Sequence, residues 1–370
     1  LLLIALFQSA YVDRFKRVPV VVAILASYVV FFAVTLILFQ TDISARIPAS
    51  IAWLLADQMN FLLPLVLWTL AGDVFTAGQG VVVFPRMSKW LFGGQAIGLA
   101  VSTVTPWIID SDESLPWLLI IPPVALALIA LLLPKALSGA TTGAGHQRAE
   151  STGTAIKETV KLVRDLPAYR WIFWVGLAAI FGGTLVDFGF LHLSQDRYSS
   201  AGDIQVLYAG TSLACFVLCW LLQSFGSTRL INKYGVPRIL QLLPIGALLG
   251  AAVLLIGGAA KVIALGSIAL VIWRLPRWSI DGSARQAAMA SLPDERRLRA
   301  SFLIDLTPLA LSLIVAAGPI ALAAETDNLW IAPLIGMAFA LLGLVLSRKT
   351  LTTWDDTQLS YRLKRRKRLG

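Results

Sequence analysis

Histidine and cysteine are nearly absent from this chain, and charge is scarce. The 370 residues hold His146, His192, Cys215 and Cys219, and charged residues make up 14% of the total. Two distant histidines cannot assemble a metal centre, nor a Ser/His/Asp or Cys/His catalytic set. No metal, no cofactor and no enzymatic activity are therefore expected. Cys215 and Cys219 stand four apart inside an apolar run and read as small helix-packing residues. The glycines at 93–94, 182–183 and 247–258 do not follow strand patterns, which excludes a phosphate-binding loop. They suit close helix contact instead.

What the chain has in abundance is long apolar runs. Hydrophobic residues are 57% of the chain, and the mean hydropathy is +0.77. Runs of about 20 residues match the thickness of a bilayer. We expect eleven spans, near 1–12, 18–40, 51–82, 89–109, 115–134, 170–193, 203–230, 238–257, 262–290, 299–323 and 329–348. The connections between them alternate. Asp13 to Arg17, Arg86 to Lys89, Lys135 to Arg170, Arg229 to Arg238, Arg296 to Arg299 and the tail are basic. Thr41 to Ser50, Asp110 to Glu113, Ser194 to Asp203, the turn at Lys261 and Glu325 to Asn328 carry little positive charge. Basic connections stay on the cytoplasmic side during insertion, so the alternation sets the direction of each crossing. It also accounts for the net charge of +10 without nucleic acid as a partner. The basic end, Arg362 to Arg368, suits anionic lipid at the cytoplasmic face, where each basic residue contributes ~1 kcal/mol.

The first residue is Leu, and the run Leu1 to Val12 leads directly into a basic connection. The expectation is a twelve-helix protein without its first helix. Five helices precede a central segment and six follow. Residues 138–153 of that segment read as a flexible linker. Residues 154–166 place Ile156, Val160 and Val163 on one face, beside Lys157, Lys161 and Arg164. That pattern is a short amphipathic helix on the membrane surface. The expected organisation is an incomplete bundle at 1–134, a cytoplasmic bridge at 135–169, a second bundle at 170–350 and a basic cytoplasmic tail at 351–370. The halves echo each other. Asp73 and Asp281, Pro85 and Pro293, and Lys89 and Arg297 are each 208 residues apart. Internal repeats of this kind are common in secondary transporters.

The sharpest polar pattern is Arg274, Arg277, Asp281 and Arg285, spaced 3, 4 and 4 on one helical face. The expected span puts Arg274 and Arg277 near mid-membrane. A charge there costs ~2.5–3.5 kcal/mol on insertion scales and normally faces a cavity or a partner. Guanidinium groups suit phosphate or carboxylate, so one reading is a binding site for an anionic solute. The other is an ion-pair network that ties helices together. Asp281 has arginines at i−4 and i+4. Asp187, toward the outer part of its helix, is a partner for the arginines or a proton site. His192 is expected at the outer interface. Trp273 and Trp278 flank the arginines, to pack in the core, to stack on a base or to cover a guanidinium. Asp13, Arg14 and Arg17 follow a helix as a gate loop would, and basic anchoring explains the arginines equally well. Asp73, by the repeat, has a gating or helix-tying role. Trp53, Trp107, Trp117, Trp171 and Trp330 fall at expected helix ends, as an interfacial belt does.

Several motifs resemble the ATP/ADP translocase family of bacteria and plastids. They are Leu185-Val186-Asp187-Phe188, Tyr198, Leu207-Tyr208, Gln223-Ser224-Phe225, Arg229-Leu230 and Tyr234-Gly235-Val236. Asp281-Gly282-Ser283-Ala284-Arg285-Gln286, Leu292-Pro293, Arg296 and Ile304-Asp305 continue the likeness, as does Phe84-Pro85 through Gly93-Gly94 to Gly98. The chain departs from the family at Gly189-Phe190-Leu191 and Met289-Ala290-Ser291, where groups that would hold a phosphate or stack a base are replaced. The resemblance implies an all-α membrane protein of major-facilitator-like build, two six-helix bundles working by alternating access. It also implies a nucleotide-like anion as solute. The expected location is the inner (plasma) membrane of a bacterium. The contrasting possibility is a non-transporting membrane module that anchors or regulates soluble partners. Loop charge alone predicts that a reporter fused at Gly145 appears on the cytoplasmic side, and a reporter found outside would reverse the topology.

Overall fold

In a bilayer every backbone polar group must be satisfied within the chain, and the apolar runs here are long enough to do so as helices. In a computed structural model, residues 17–41, 43–74, 77–109, 112–138, 166–289, 303–304, 307–326, 328 and 330–369 are described, and no strand occurs among them. Helices α1 (Arg17–Phe39), α2 (Arg46–Val74) and α3 (Ala77–Ile108) come first, then a 3-10 segment (Asp112–Ile120) and α4 (Ile121–Ala136). After the central segment come α5 (Pro167–Arg197), α6 (Ala201–Phe225), α7 (Ser227–Tyr234), α8 (Val236–Ile239) and α9 (Leu242–Ala259). Helix α10 (Ile263–Leu275) runs through a π-helical turn (Pro276–Asp281) into α11 (Gly282–Met289), followed by α12 (Thr307–Thr326) and α13 (Ile331–Leu369).

Among the described residues, eight helical segments are long and apolar enough to cross a membrane. They correspond to the expected spans near 18–40, 115–134, 170–193, 203–230, 238–257, 262–290, 299–323 and 329–348. Much of their apolar surface is not buried by protein: Phe31, Ile37, Leu131, Leu132, Ile256 and Ile314 are each more than half exposed. Such surfaces need hydrocarbon around them, and the protein is a multi-pass, membrane-embedded, all-helical chain.

Two expectations about where helices end differ. The helices expected at 51–82 and 89–109 are described as Arg46–Val74 and Ala77–Ile108, so Arg86 to Lys89 lie within α3 rather than between helices. A charge ends an apolar run, but it does not end the backbone ladder. The last helix, expected to stop at 348, continues to Leu369. From Leu346 to Leu369 there is no glycine or proline to stop it. The expected span 1–12 and residues 154–165 of the expected amphipathic helix lie outside the described residues.

The chain divides into two compact units, Leu1–Gln95 with Pro106–Thr152, and Ala96–Thr105 with Gly153–Gly370. The first has its core where Leu25, Tyr28 and Phe32 of α1 meet Leu55, Leu62 and Val66 of α2 and Leu126 of α4. The second is organised around α5, which contacts α13, α9, α12 and α10. Pro167 begins α5 at a position where its missing N–H costs nothing. Thr357 of α13 accepts a hydrogen bond from the N–H of Ala168 at 3.2 Å, capping one of the orphan donors there. Ser200 caps α6 by accepting from Gly202 at 3.2 Å. Helix α9 closes with Lys261 at φ 54°. The N–H groups of Lys261 and Val262 return to Gly258 and Gly257, a Schellman arrangement at the turn the charge pattern expects.

Close approach to α5 depends on its glycines. A Cβ at Gly183 would fall 1.9 Å from the Trp273 ring, and one at Gly182 would fall 2.7 Å from the Gly336 carbonyl oxygen. A Cβ at Gly93 or Gly94 would meet nothing within 4 Å among the described residues, so no close approach there requires glycine. Gly183→Ala is predicted to displace Trp273 and to lower thermal stability, by about 1–3 kcal/mol as for other overpacked cores. An unchanged melting temperature would show that Trp273 can move without cost.

Candidate functional site

The charged residues of the helix from Ile263 to Met289 lie in an apolar stretch, so each must be solvated by protein or by a cavity. The second unit supplies protein groups. Helix α5 brings Asp187, α6 brings Tyr208 and Ser212, and the broken helix α10–α11 brings Arg274, Arg277, Asp281 and Arg285.

Arg274 is buried and held on three sides. Its Nε donates to Asp187 Oδ1 at 2.9 Å, Nη1 to Ser212 Oγ at 2.9 Å and Nη2 to the Tyr208 hydroxyl at 2.7 Å. Its guanidinium carbon lies 5.0 Å from the Tyr208 ring centroid and 4.9 Å from that of Trp278, within the range of cation–π attraction. Trp273 is also buried, and its indole N–H donates to the second oxygen of Asp187 at 3.3 Å. Asp187 itself remains about one-third exposed, at 33% of its side-chain surface.

Asp281 gathers the other two arginines. Arg277 Nη1 donates to its Oδ2 at 2.9 Å, and Arg285 Nε donates to both oxygens, at 3.0 and 2.9 Å. Arg285 Nη1 also donates to the carbonyl oxygen of Ile304 at 3.0 Å. Asp281 and Arg285 side chains are 2% and 3% exposed, whereas Arg277 is 19% exposed. Gly176 makes room for Arg285, since a Cβ there would lie 2.8 Å from its Nη2.

The expected single face is thus divided. Spacing of 3, 4 and 4 aligns the four residues only in a continuous α-helix. The turn from Pro276 to Asp281 is π-helical, and the wider turn changes the phase. Arg274 faces α5 and α6, while Arg277 and Arg285 meet at Asp281. The expected pairings of Asp281 with its i−4 and i+4 arginines are present, and so is that of Asp187 with an arginine.

Other expected residues fall elsewhere. Asp13 and Arg14 lie outside the described residues; Arg17 begins α1 and Asp73 is next to last in α2, and their side chains are likewise outside them. Pro293 and Arg297 are outside as well. His192 lies 3.6 Å from Asp196 and meets the Phe188 ring edge-on. Among the described residues, no group of three or more His, Cys, Asp or Glu is placed to hold a metal. Trp273 is occupied by Asp187, and Trp278 covers Arg274.

Sequence reasoning assigned no role to Tyr208 or Ser212. The signal was present: Tyr208, Ser212, Cys215 and Cys219 are spaced 4, 3 and 4, a polar and small-residue line on an apolar helix. All but Tyr208 are buried, and Cys219 Sγ reaches the Leu275 carbonyl oxygen at 3.8 Å. No protein-family model, no curated protein and no solved structure matches the chain.

A carboxylate shared by two buried or half-buried arginines is costly to remove. Asp281→Asn is predicted to destabilise the protein by about 3–5 kcal/mol, since it strands a buried guanidinium. Adding Arg285→Met should recover part of that loss, giving a double variant better than the two single effects added. Simple additivity in melting experiments would show that the two side chains are not coupled.

Proposed function

We propose that this membrane protein is a secondary transporter for an anionic, nucleotide-like solute, working by alternating access between two bundles. The observation that carries the reading is the division of labour among the arginines. Arg274 and Arg285 are deeply buried, but Arg277, which shares Asp281 with Arg285, is the most exposed of the three. An incoming phosphate or carboxylate can take the fork of Arg277 while Asp281 keeps Arg285. Arg274 and Arg285 then position the site and Arg277 contacts the solute. Asp187 pairs with Arg274 and remains one-third exposed. The motif resemblance to ATP/ADP translocases supports a phosphate-bearing solute. Loop charge supports an orientation with the central bridge and the basic end of α13 at the cytoplasmic face, against anionic lipid.

A second reading has its own observation. All three arginines already have protein partners, so the network is also suited to tying helices in a non-transporting module that anchors soluble partners. The experiment is uptake of labelled ATP, ADP and inorganic phosphate by proteoliposomes, with melting measured on the same samples. Arg277→Ala is predicted to fold and to lose uptake by roughly 10- to 150-fold, the equivalent of one charge-assisted hydrogen bond. Arg277→Lys should restore part of it, because an ammonium keeps the charge but not the planar pair of donors. Wild-type uptake by a stable Arg277→Ala protein would end the binding claim. Absence of uptake of every anion by the unaltered protein would favour the module.

A further inference from the structure

Two tryptophans flank Arg274 and Arg277 on the broken helix, and their surroundings differ. Trp273 is 3% exposed. Gly183 of α5 stands against its ring, so closely that a Cβ there would fall 1.9 Å away. Its indole N–H is taken by Asp187. Trp278 is 42% exposed, and it is the exposed residue of the stretch from Ala269 to Asp281. One face of its ring lies over the Arg274 guanidinium, whose carbon is 4.9 Å from the centroid. Among the described residues, no second aromatic ring is stacked on it. The rest of the indole surface is open.

An open tryptophan on a membrane helix can meet hydrocarbon or water, and its neighbours decide which. Arg277, the preceding residue, keeps 19% of its side-chain surface exposed, and Asp187, the partner of Arg274, keeps 33%. Charged surface left open at membrane depth has to be wet. Trp278 follows one of these groups in the chain and is joined to the other through Arg274. Its open ring therefore borders the same wet space. Tyr208, the other ring on Arg274, is placed differently. Its hydroxyl accepts from Arg274, and its ring packs 6.3 Å from that of Phe190.

We propose that Trp278 is a stacking platform for a flat ring carried by the solute, so that the site takes a nucleotide in preference to a bare phosphate of similar charge. The platform rests on the reading of Arg277 as the solute contact. Arg277 and Trp278 are consecutive, with Cα atoms about 3.8 Å apart. A donor fork for phosphate and a ring face for a base thus stand side by side, and in a nucleotide one sugar separates those two groups. Arg274 covers the far face of the indole and is itself held by three partners. The plane of the ring is set before the solute arrives, so little freedom is lost on binding. Stacking does not read base edges. The platform separates nucleotides from inorganic phosphates rather than one base from another.

The test is equilibrium binding of ATP and of inorganic triphosphate to the full chain in lipid nanodiscs, with melting measured on the same samples. The two probes carry similar charge and differ by the nucleoside. The unaltered protein should bind ATP roughly 5- to 150-fold more tightly than triphosphate, the range that one base stacked on an aromatic side chain contributes. Trp278→Ala should remove most of that difference by weakening ATP alone. Trp278→Phe should keep part of it, since a smaller ring remains. Trp278→Leu retains an apolar cover over Arg274 without a ring, and it decides the matter if Trp278→Ala does not fold. Arg277→Ala should weaken both probes alike. Three results overturn the platform: equal affinity of the unaltered protein for the two probes, a stable Trp278→Leu protein with undiminished preference for ATP, or equal weakening of both probes by Trp278→Leu. The third would show that the ring acts only by covering Arg274. These results leave the anion site at Arg277 standing, whereas failure of the unaltered protein to bind either probe removes the site and the platform together.

Discussion

Low-dielectric surroundings oblige every buried charge in this protein to carry its own counterion, and the second unit is arranged around that obligation. Arg274 and Arg285 could not be inserted among helices α5, α6, α9 and α10–α11 as bare cations, because the penalty exceeds what neighbouring apolar contacts return. Asp187 and Asp281 meet the requirement from different elements. Asp187 reaches across from α5, so its pair with Arg274 ties two separate helices. Asp281 lies in the same helix as both of its arginines, so that pair stiffens one helix and joins it to the Ile304 segment only through Arg285. One ion pair is tertiary in character and the other largely local.

Glycine completes what charge begins. Large polar and aromatic side chains can be buried between helices only where the facing surface is removed. Gly183 stands opposite Trp273, and Gly176 stands opposite Arg285. Two glycines seven residues apart on α5, two helical turns, therefore accommodate the two sides of the broken helix. Trp273 in turn orients Asp187 through its indole N–H, so packing at Gly183 reaches the carboxylate that neutralises Arg274. Packing and electrostatics are coupled here, and a methyl group added at Gly183 would disturb a charge pair it never touches.

Much of the architecture was legible because the bilayer imposes a length rule on apolar runs, and eight described helices obey it. Legibility failed where the rule is silent. Arg86 and Lys89 mark the end of an apolar run, but a helix can pass through charged residues, and α3 does. At the other end, α13 carries on past Arg348 because no breaker intervenes and Thr357 and Trp354 find partners on the unit. The arginine–aspartate spacing correctly pointed to pairing at i±4. It could not reveal the π-turn, because Pro276 and Gly282 are each compatible with an ordinary helix. Nor could it place Tyr208 and Ser212, whose importance comes from a helix 62 to 66 residues away in sequence.

The phase change introduced by the wide turn bears directly on how the charges can act. A continuous α-helix would have presented three guanidiniums to one space, and their mutual repulsion would have required several anions at once. The extra residue divides them: Arg274 pairs with Asp187, whereas Arg277 and Arg285 share the one carboxylate of Asp281 and leave that group one positive charge in excess. Arg277 is then the guanidinium whose carboxylate is shared. Arg277 lies at the more exposed edge of the network. The same division leaves Arg274 undisturbed by events at Asp281. One helix thus carries two separate charge groups, one tied to α5 and α6 and one gathered on Asp281.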